Sequence, residues 1–138
     1  MENIEIRVAT PKDYDGIQQL VSACFDNINQ YEPTTTSFSI IASIEDKVIG
    51  HIYVDCLKDA FKGENYYFLN YVCVDPLYRQ HKVATKMLIY LDMIALKEHI
   101  TYIELTSSSD KIAANHLYLN NGFTIRKTNV FHKKIKRV

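Results

Sequence analysis

Residues 72–87 read VCVDPLYRQHKVATKM. An apolar run meets Asp75-Pro76, then a basic turn, then the start of an amphipathic pattern. Proline cannot donate to a ladder, so Asp75-Pro76 ends a strand. Beyond the turn, Ala84, Met87, Leu88, Leu91, Ile94 and Ala95 recur at helical spacing and predict a helix to about Glu98. A strand, a turn and a helix in that order leave free backbone N–H groups at the helix start. Such a place holds anions, and phosphate is the usual occupant. Arg79, His81 and Lys82 stand there, although a helix N-terminus already carries about half a positive charge. An anion in the turn accounts for them; a helix start with solvated basic residues accounts for them equally well.

Outward from this stretch the chain falls into short elements. YYFLNYVCV, 66–74, is apolar on both parities, as expected of a strand buried on both faces. Before it, residues 38–44 and VIGHIYVDCL (48–57) flank a Glu-Asp-Lys turn and predict a hairpin whose turn type no Asn-Gly or Asp-Gly fixes. IEIRV, 4–8, predicts a first strand. Thr10-Pro11 then starts a helix to about Phe25, with Tyr14, Ile17, Leu20, Val21 and Cys24 on its apolar side. Residues 26–37 are polar and predict mostly loop. Downstream come a strand at 101–106, a loop at 107–110 and a short helix, KIAANHLYLNN, stopped by Gly122. FTIRK and NVFHKKI predict two closing strands. The order β-α-β-β-β-α-β-α-β-β predicts an α/β fold: a mixed sheet of about seven strands with helices on its faces.

Composition bounds the function. The chain has 138 residues, 47% of them apolar, which fits one domain over 1–138 with a sizeable core. Lys plus Arg equals Asp plus Glu at 16 each, so no global charge recruits nucleic acid or an anionic membrane, and any anion site is local. Cys24, Cys56 and Cys73 form no CxxC pair and fit reduced cysteines. The five histidines show no metal-ligand spacing, and no metal is expected. The N-terminal residues have no apolar signal-peptide core, and no apolar run reaches the ~20 residues of a membrane helix. A cytoplasmic protein is expected. The basic tail HKKIKRV reads as a solvated last strand before it reads as a nucleic-acid contact.

Tyr118 lies on the short helix before Gly122. A buried tyrosine is more often a core residue than a catalyst. Its ordinary pKa of about 10 nevertheless leaves it a proton to donate at neutral pH.

The two features together resemble a known family. The strand with "V-D-P-x-Y-R", the turn and the helix are similar to the acyl-CoA-binding motif of the GNAT superfamily of N-acetyltransferases. Ala114 to Phe123, "A-x-x-L-Y-x-x-x-G-F", resembles that family's next motif, and Val48-Ile49-Gly50 resembles its third-strand entry. The element order matches along the whole chain. The resemblance implies a GNAT-like, mostly antiparallel twisted sheet with a splayed centre. It implies acetyl transfer from acetyl-CoA to a primary amine by direct attack. The backbone of Val72, Cys73 and Val74 would pair with the pantetheine arm. The turn from Arg79 through Gln80, His81, Lys82, Val83 and Ala84 to Thr85 would hold the pyrophosphate. Tyr118 matches the tyrosine that protonates the departing thiolate. The alternative is a non-catalytic CoA-binding or regulatory module on the same fold.

This sequence departs from the family pattern where glycines are usual, at Gln80 and Lys82; of the pattern proper only Arg79 and Ala84 match. The expectation is helix-like φ at both positions, which lets their side chains point outward without strain. Lys111 replaces a frequent Asn. The general base is open among Glu32, Asp75 and Glu104, and for Glu104 a solvated strand carboxylate is the better reading. The amine acceptor could be a small molecule or a peptide. The superfamily admits homodimers, and nothing in the sequence decides it.

Overall fold

The computed structural model describes residues 3–136. Arg137 and Val138, the end of the basic tail, lie outside the described residues. Five strands form one sheet in the order β1 (Glu5–Val8), β2 (Ser37–Ile44), β3 (Lys47–Asp59), β4 (Glu64–Val74) and β5 (Tyr102–Leu105). The first four are antiparallel neighbours; β5 joins β4 in parallel. Helices α1 (Tyr14–Cys24), α2 (Val83–Lys97) and α3 (Ile112–Asn120) complete the chain. The fold is α/β with a mostly antiparallel mixed sheet.

The expected count of about seven strands is corrected to five among the described residues. FTIRK and NVFHKKI form no strand: residues 124–136 carry no ladder and lie exposed. Their alternation is real, but a strand needs a partner edge as well as a pattern.

Helices cover both faces of the sheet, and the alternation of β2 sorts them. Ile40, Ala42 and Ile44 share one cluster with Met87, Leu88 and Leu91 of α2. Ile41, the residue that broke the alternation, packs on the other side with Ile17, Leu20 and Val21 of α1. Gly50 of β3 sets how closely α2 approaches. A Cβ there would stand 3.0 Å from both Val83 and Met87 and 3.2 Å from Ala42, so a side chain would push away the N-terminal end of α2. The β2–β3 turn uses Glu45 and Asp46, both at positive φ (48° and 68°). Two consecutive left-handed residues match the hairpin's twist, although neither is glycine.

The apolar run of β4 has a physical cause that its sequence did not reveal. His51 pairs with Cys73, but Tyr53 pairs with Asn70, so β4 spends one residue more than β3 over this interval. The bulge contains Tyr71, whose φ is +51°. It inverts the parity of the strand. Tyr67 and Leu69 lie before it and face α2; Cys73 lies after it, also at an odd position, and faces α1. Val72 and Val74 take over the α2 side.

Arg7 of β1 locks the entry to α1. Its Nη1 and Nη2 donate to Asp13 at 2.6 and 2.8 Å, and the Thr10 amide donates to the same carboxylate at 2.8 Å. Asp13 is buried. The Arg7 hydrogen bond holds its pKa down at about 2, against the opposing effect of burial. A depressed folded pKa means that this stabilisation is complete above the unfolded value near 4 and is lost as pH falls toward 2. Asp13→Asn is expected to cost about 2 kcal/mol at neutral pH, because it unpairs a half-buried guanidinium. Melting curves of the two proteins should converge between about pH 4 and pH 2; a constant gap would contradict the assignment.

Candidate active site

The sheet opens where β4 and β5 part. Their parallel pairing runs from Tyr66↔Tyr102 to Leu69↔Leu105 and stops there. From Asn70 to Val74, β4 stays paired with β3 but has no neighbour on its other edge among the described residues. Val72, Cys73 and Val74 lie on that open edge.

The chain then enters the turn. Asp75 begins it: Oδ1 accepts from the Leu77 amide at 3.0 Å, and Oδ2 sits 3.7 Å from Lys47 Nζ. This candidate base therefore serves the turn. Pro76–Tyr78 form a single 3₁₀ turn and Val83 begins α2. The first helical bond on the α2 side runs from the Lys86 amide to the Lys82 carbonyl at 3.0 Å. Among the described residues, no protein acceptor meets the N–H groups of residues 80 to 85. No acidic residue stands in the first turn of α2. Arg79, Gln80, His81 and Lys82 are exposed around these donors, Val83 is buried, and Ala84 and Thr85 are partly buried. The result is a concentration of donors with positive potential at a helix start.

The expectation of helix-like φ fails. Gln80 has φ +73° and Lys82 has φ +58°, ψ 28°. Both are left-handed, the conformation glycine adopts without cost and other residues adopt at about 1 kcal/mol or more. The turn thus carries backbone strain at both positions. Arg79 also differs from expectation. Its Nε donates to the Val74 carbonyl at 3.2 Å, so the side chain folds back over the end of β4.

Tyr118 is half-buried on α3, edge-on to Phe123 at 5.7 Å between ring centroids. Burial raises its pKa, so the phenol keeps its proton throughout the neutral range. Its ring packs on the same cluster as Val72 and Val74. His116, on the same helix, is exposed. Cys73 is buried, and burial together with the neighbouring Cys24 thiol raises its pKa, so it is an inert thiol. Glu104 is tied to Arg126 at 2.6 Å.

A second set of residues was not foreseen. His51 is 1% exposed on β3. Its Nδ1 lies 2.8 Å from the Tyr71 carbonyl, and its Nε2 lies 2.9 Å from Ser39 Oγ, which is 2.9 Å from Tyr31 Oη. A carbonyl only accepts, so Nδ1 carries the proton and Nε2 accepts from Ser39. Ser39 in turn accepts from Tyr31. One neutral imidazole thereby satisfies the carbonyl that the β4 bulge frees and fixes the left-handed Tyr71. Burial lowers the His51 pKa to about 4, only partly offset by the Tyr71 bond. The one sequence signal was a histidine amid the apolar residues of a central strand.

Tyr31, Tyr53, Tyr71, His51 and Glu32 line a cavity of about 390 Å³ beside α1. Gln18 of α1 holds its outer wall: Oε1 accepts from the Tyr31 amide and Nε2 donates to the Asn29 carbonyl at 2.8 Å. A larger cavity of about 550 Å³ lies at the opposite end of β4, lined by Phe38, Lys58, Asn65, Tyr66 and Glu98. It is remote from the donor turn, so size alone does not mark the site.

The GNAT acetyltransferase family model matches residues 8–123. The chain belongs to the GNAT acetyltransferase family. Solved structures agree on the fold at low identity. An aminoglycoside acetyltransferase from an uncultured soil metagenomic sample superposes with a TM-score of 0.84 at 14% identity, over 96% of this chain and 97% of its own. A ribosomal-protein-alanine N-acetyltransferase from Brucella melitensis biovar Abortus 2308 gives 0.82 at 12%, over 95% and 99%. AAC(6')-Iy, solved with the bisubstrate analogue CoA-S-monomethyl-acetylneamine, gives 0.81 at 16%, over 96% and 99%. A comparison with curated proteins finds no match.

Two outcomes test this geometry. Gln80→Gly and Lys82→Gly should each raise stability, by up to about 1 kcal/mol, because they relieve left-handed strain; a loss in both would contradict the turn. His51 should titrate below pH 5 in an NMR experiment. Its folded pKa is depressed, so the stability it contributes is present above the unfolded value near 6.5 and declines as pH falls toward 4. Titration at 6.5 would contradict its buried, Nδ1-protonated state.

Proposed function

We propose that this GNAT chain moves an acetyl group from acetyl-CoA to the nitrogen of a primary amine by direct attack. The observation that carries the reading is the open β4 edge running straight into the donor turn. An extended amide-bearing arm can add to Val72–Val74 as a strand would, and a pyrophosphate can sit on the N–H groups from Arg79 through Thr85. Lys82 and Arg79 supply the charge.

The residues then have distinct tasks. A backbone N–H at the end of β4 donates to the thioester carbonyl, and the same bond strengthens as that oxygen gains charge. The amine nitrogen forms the new C–N bond while the C–S bond breaks and its electron pair goes to sulfur. Tyr118 donates its phenolic proton to that thiolate. The phenol holds its proton at neutral pH until the thiolate forms, and the phenolate left behind regains a proton from solvent. The His51 bond to the Tyr71 carbonyl holds the bulge and so aims the backbone on either side of it.

The aromatic cavity beside the bulge is the reading for the acceptor side. Three tyrosines, Tyr31, Tyr53 and Tyr71, stand in its wall, and Glu32 can draw in a cationic amine. His51 has both ring nitrogens engaged, by the Tyr71 carbonyl and the Ser39 hydroxyl, so the amine's proton leaves through Glu32 or water. Location in the cytoplasm is part of this proposal, as acetyl-CoA is needed; among the described residues no helix is long and apolar enough to cross a membrane. Against the non-catalytic alternative stands Tyr118, a phenol that keeps its proton and packs on the same cluster as Val72 and Val74.

Acetyl-CoA should raise the melting temperature by linkage. The absence of both a thermal shift and a calorimetric heat at millimolar acetyl-CoA would sink the proposal. Tyr118→Phe should lower kcat about 10²-fold with little change in cofactor affinity. Unchanged turnover with an active acceptor would remove Tyr118 from the acid role.

A further inference from the structure

Lys111 stands at the N-cap of α3 and is exposed, yet its ammonium has a definite place. Nζ lies over the Phe25 ring, 6.0 Å from its centroid. Phe25 closes α1, and its ring meets Tyr71 edge-on at 5.2 Å. Tyr71 belongs to the β4 bulge and lines the cavity beside α1. Lys111 also precedes Tyr118 by seven residues, about two turns, so the two share the side of α3 on which Tyr118 packs with Val72 and Val74. The lysine thus reaches from α3 across the end of the open edge to α1. Among the described residues no carboxylate forms an ion pair with it, neither Asp110 beside it nor Asp26 beside Phe25. An ammonium over a ring at this distance is held weakly compared with a charge-assisted hydrogen bond, so an incoming anion can draw it away.

The cavity has the opposite need. Of its lining side chains only Glu32 is charged, since burial keeps His51 neutral. Its inner polar groups are already engaged: Tyr31 Oη with Ser39, the His51 nitrogens with Ser39 and Tyr71, and Gln18 with the Tyr31 amide and the Asn29 carbonyl. The rest of the inner lining is Ile17, Val21, Ile28 and the rings of Tyr31 and Tyr53, edge-on to each other at 6.4 Å. Such a wall receives an apolar body and gives a hydroxyl-rich one few partners. No cation lines the cavity, so an anionic group on the acceptor has Lys111 as its partner at the bulge.

We propose that Lys111 selects the acceptor by its carboxylate, and that the acceptor is an α-amino acid with an apolar side chain. This rests on the reading of the cavity as the acceptor side. The amino group stands between Glu32 and the open edge, the carboxylate meets Lys111 at the corner of Phe25 and Tyr71, and the side chain enters among the tyrosines. The C–N bond forms as the C–S bond breaks, the thiolate takes the Tyr118 proton, and the amine's proton leaves through Glu32 or water. The carboxylate is unchanged. A polycationic acceptor is disfavoured, because one carboxylate would face several ammonium groups and Lys111 would repel them.

Backbone amide NMR titrations of the whole chain without acetyl-CoA test this by binding alone. The probes share one aromatic body: phenylalanine, phenylalaninamide and 2-phenylethylamine. The expected result is shifts at Phe25, Tyr31, Tyr53 and Tyr71, with phenylalanine binding about tenfold tighter than either probe that lacks a carboxylate. Lys111→Gln should abolish that preference and Lys111→Glu should reverse it. Neither removes a helix cap, because the Lys111 side chain makes no capping hydrogen bond. Equal binding of phenylalanine and its amide overturns the proposal, as does a preference that survives Lys111→Gln, or no binding of any probe. Loss of CoA affinity in Lys111→Gln with the preference intact makes Lys111 a cofactor contact and overturns it as well. Acetyl transfer to phenylalanine is assayed separately. Phenylalanine that binds through Lys111 and is not acetylated supports the carboxylate site and overturns the proposed activity.

Discussion

The hydrogen bond from His51 Nδ1 to the Tyr71 carbonyl is the constraint on which the site depends. A bulge in a central strand frees a buried carbonyl and forces one residue to a left-handed angle, both of which cost free energy. The buried imidazole answers the carbonyl and, through Ser39 and Tyr31, ties it to the loop after α1. The bulge in turn shifts the parity of β4, so that Val72 and Val74 take the α2 side of the open edge and Cys73 the α1 side. The cavity under α1, the open edge and the start of α2 are therefore positioned by one local irregularity.

Much of this was legible in the sequence because it rests on local chemistry. Asp75-Pro76 ended β4, Thr10-Pro11 preceded α1 and Gly122 closed α3, each by rules that act within a few residues. Ile41 against Ile40 and Ala42 reported two covered faces. What stayed hidden was non-local. A bulge is a mismatch between two strands, so YYFLNYVCV read as a strand buried on both faces when its register was in fact inverted midway. The Ser39–His51 contact joins residues twelve apart on neighbouring strands. The two closing strands failed for the same reason: FTIRK and NVFHKKI have the pattern, while the edge that would receive them is not a property of their own sequence.

The turn at 80–82 shows how far a departure from glycine reaches. Gln80 and Lys82 hold left-handed angles that glycine would adopt without cost. The strain falls on the free energy of folding, while the N–H groups of residues 80–85 stay free of protein acceptors among the described residues. Lys82 meanwhile places a cation beside those donors, a trade between ease of folding and charge that fits a doubly negative ligand.

The central claim is that the open edge of β4 and the turn that follows it form one continuous cofactor site. A backbone amide NMR titration with CoA tests it most directly. The account predicts that shifts concentrate at residues 72–74 and 80–85, with the cavity lined by Lys58, Asn65 and Tyr66 unaffected. Shifts centred on that cavity, with residues 80–85 unmoved, would contradict it.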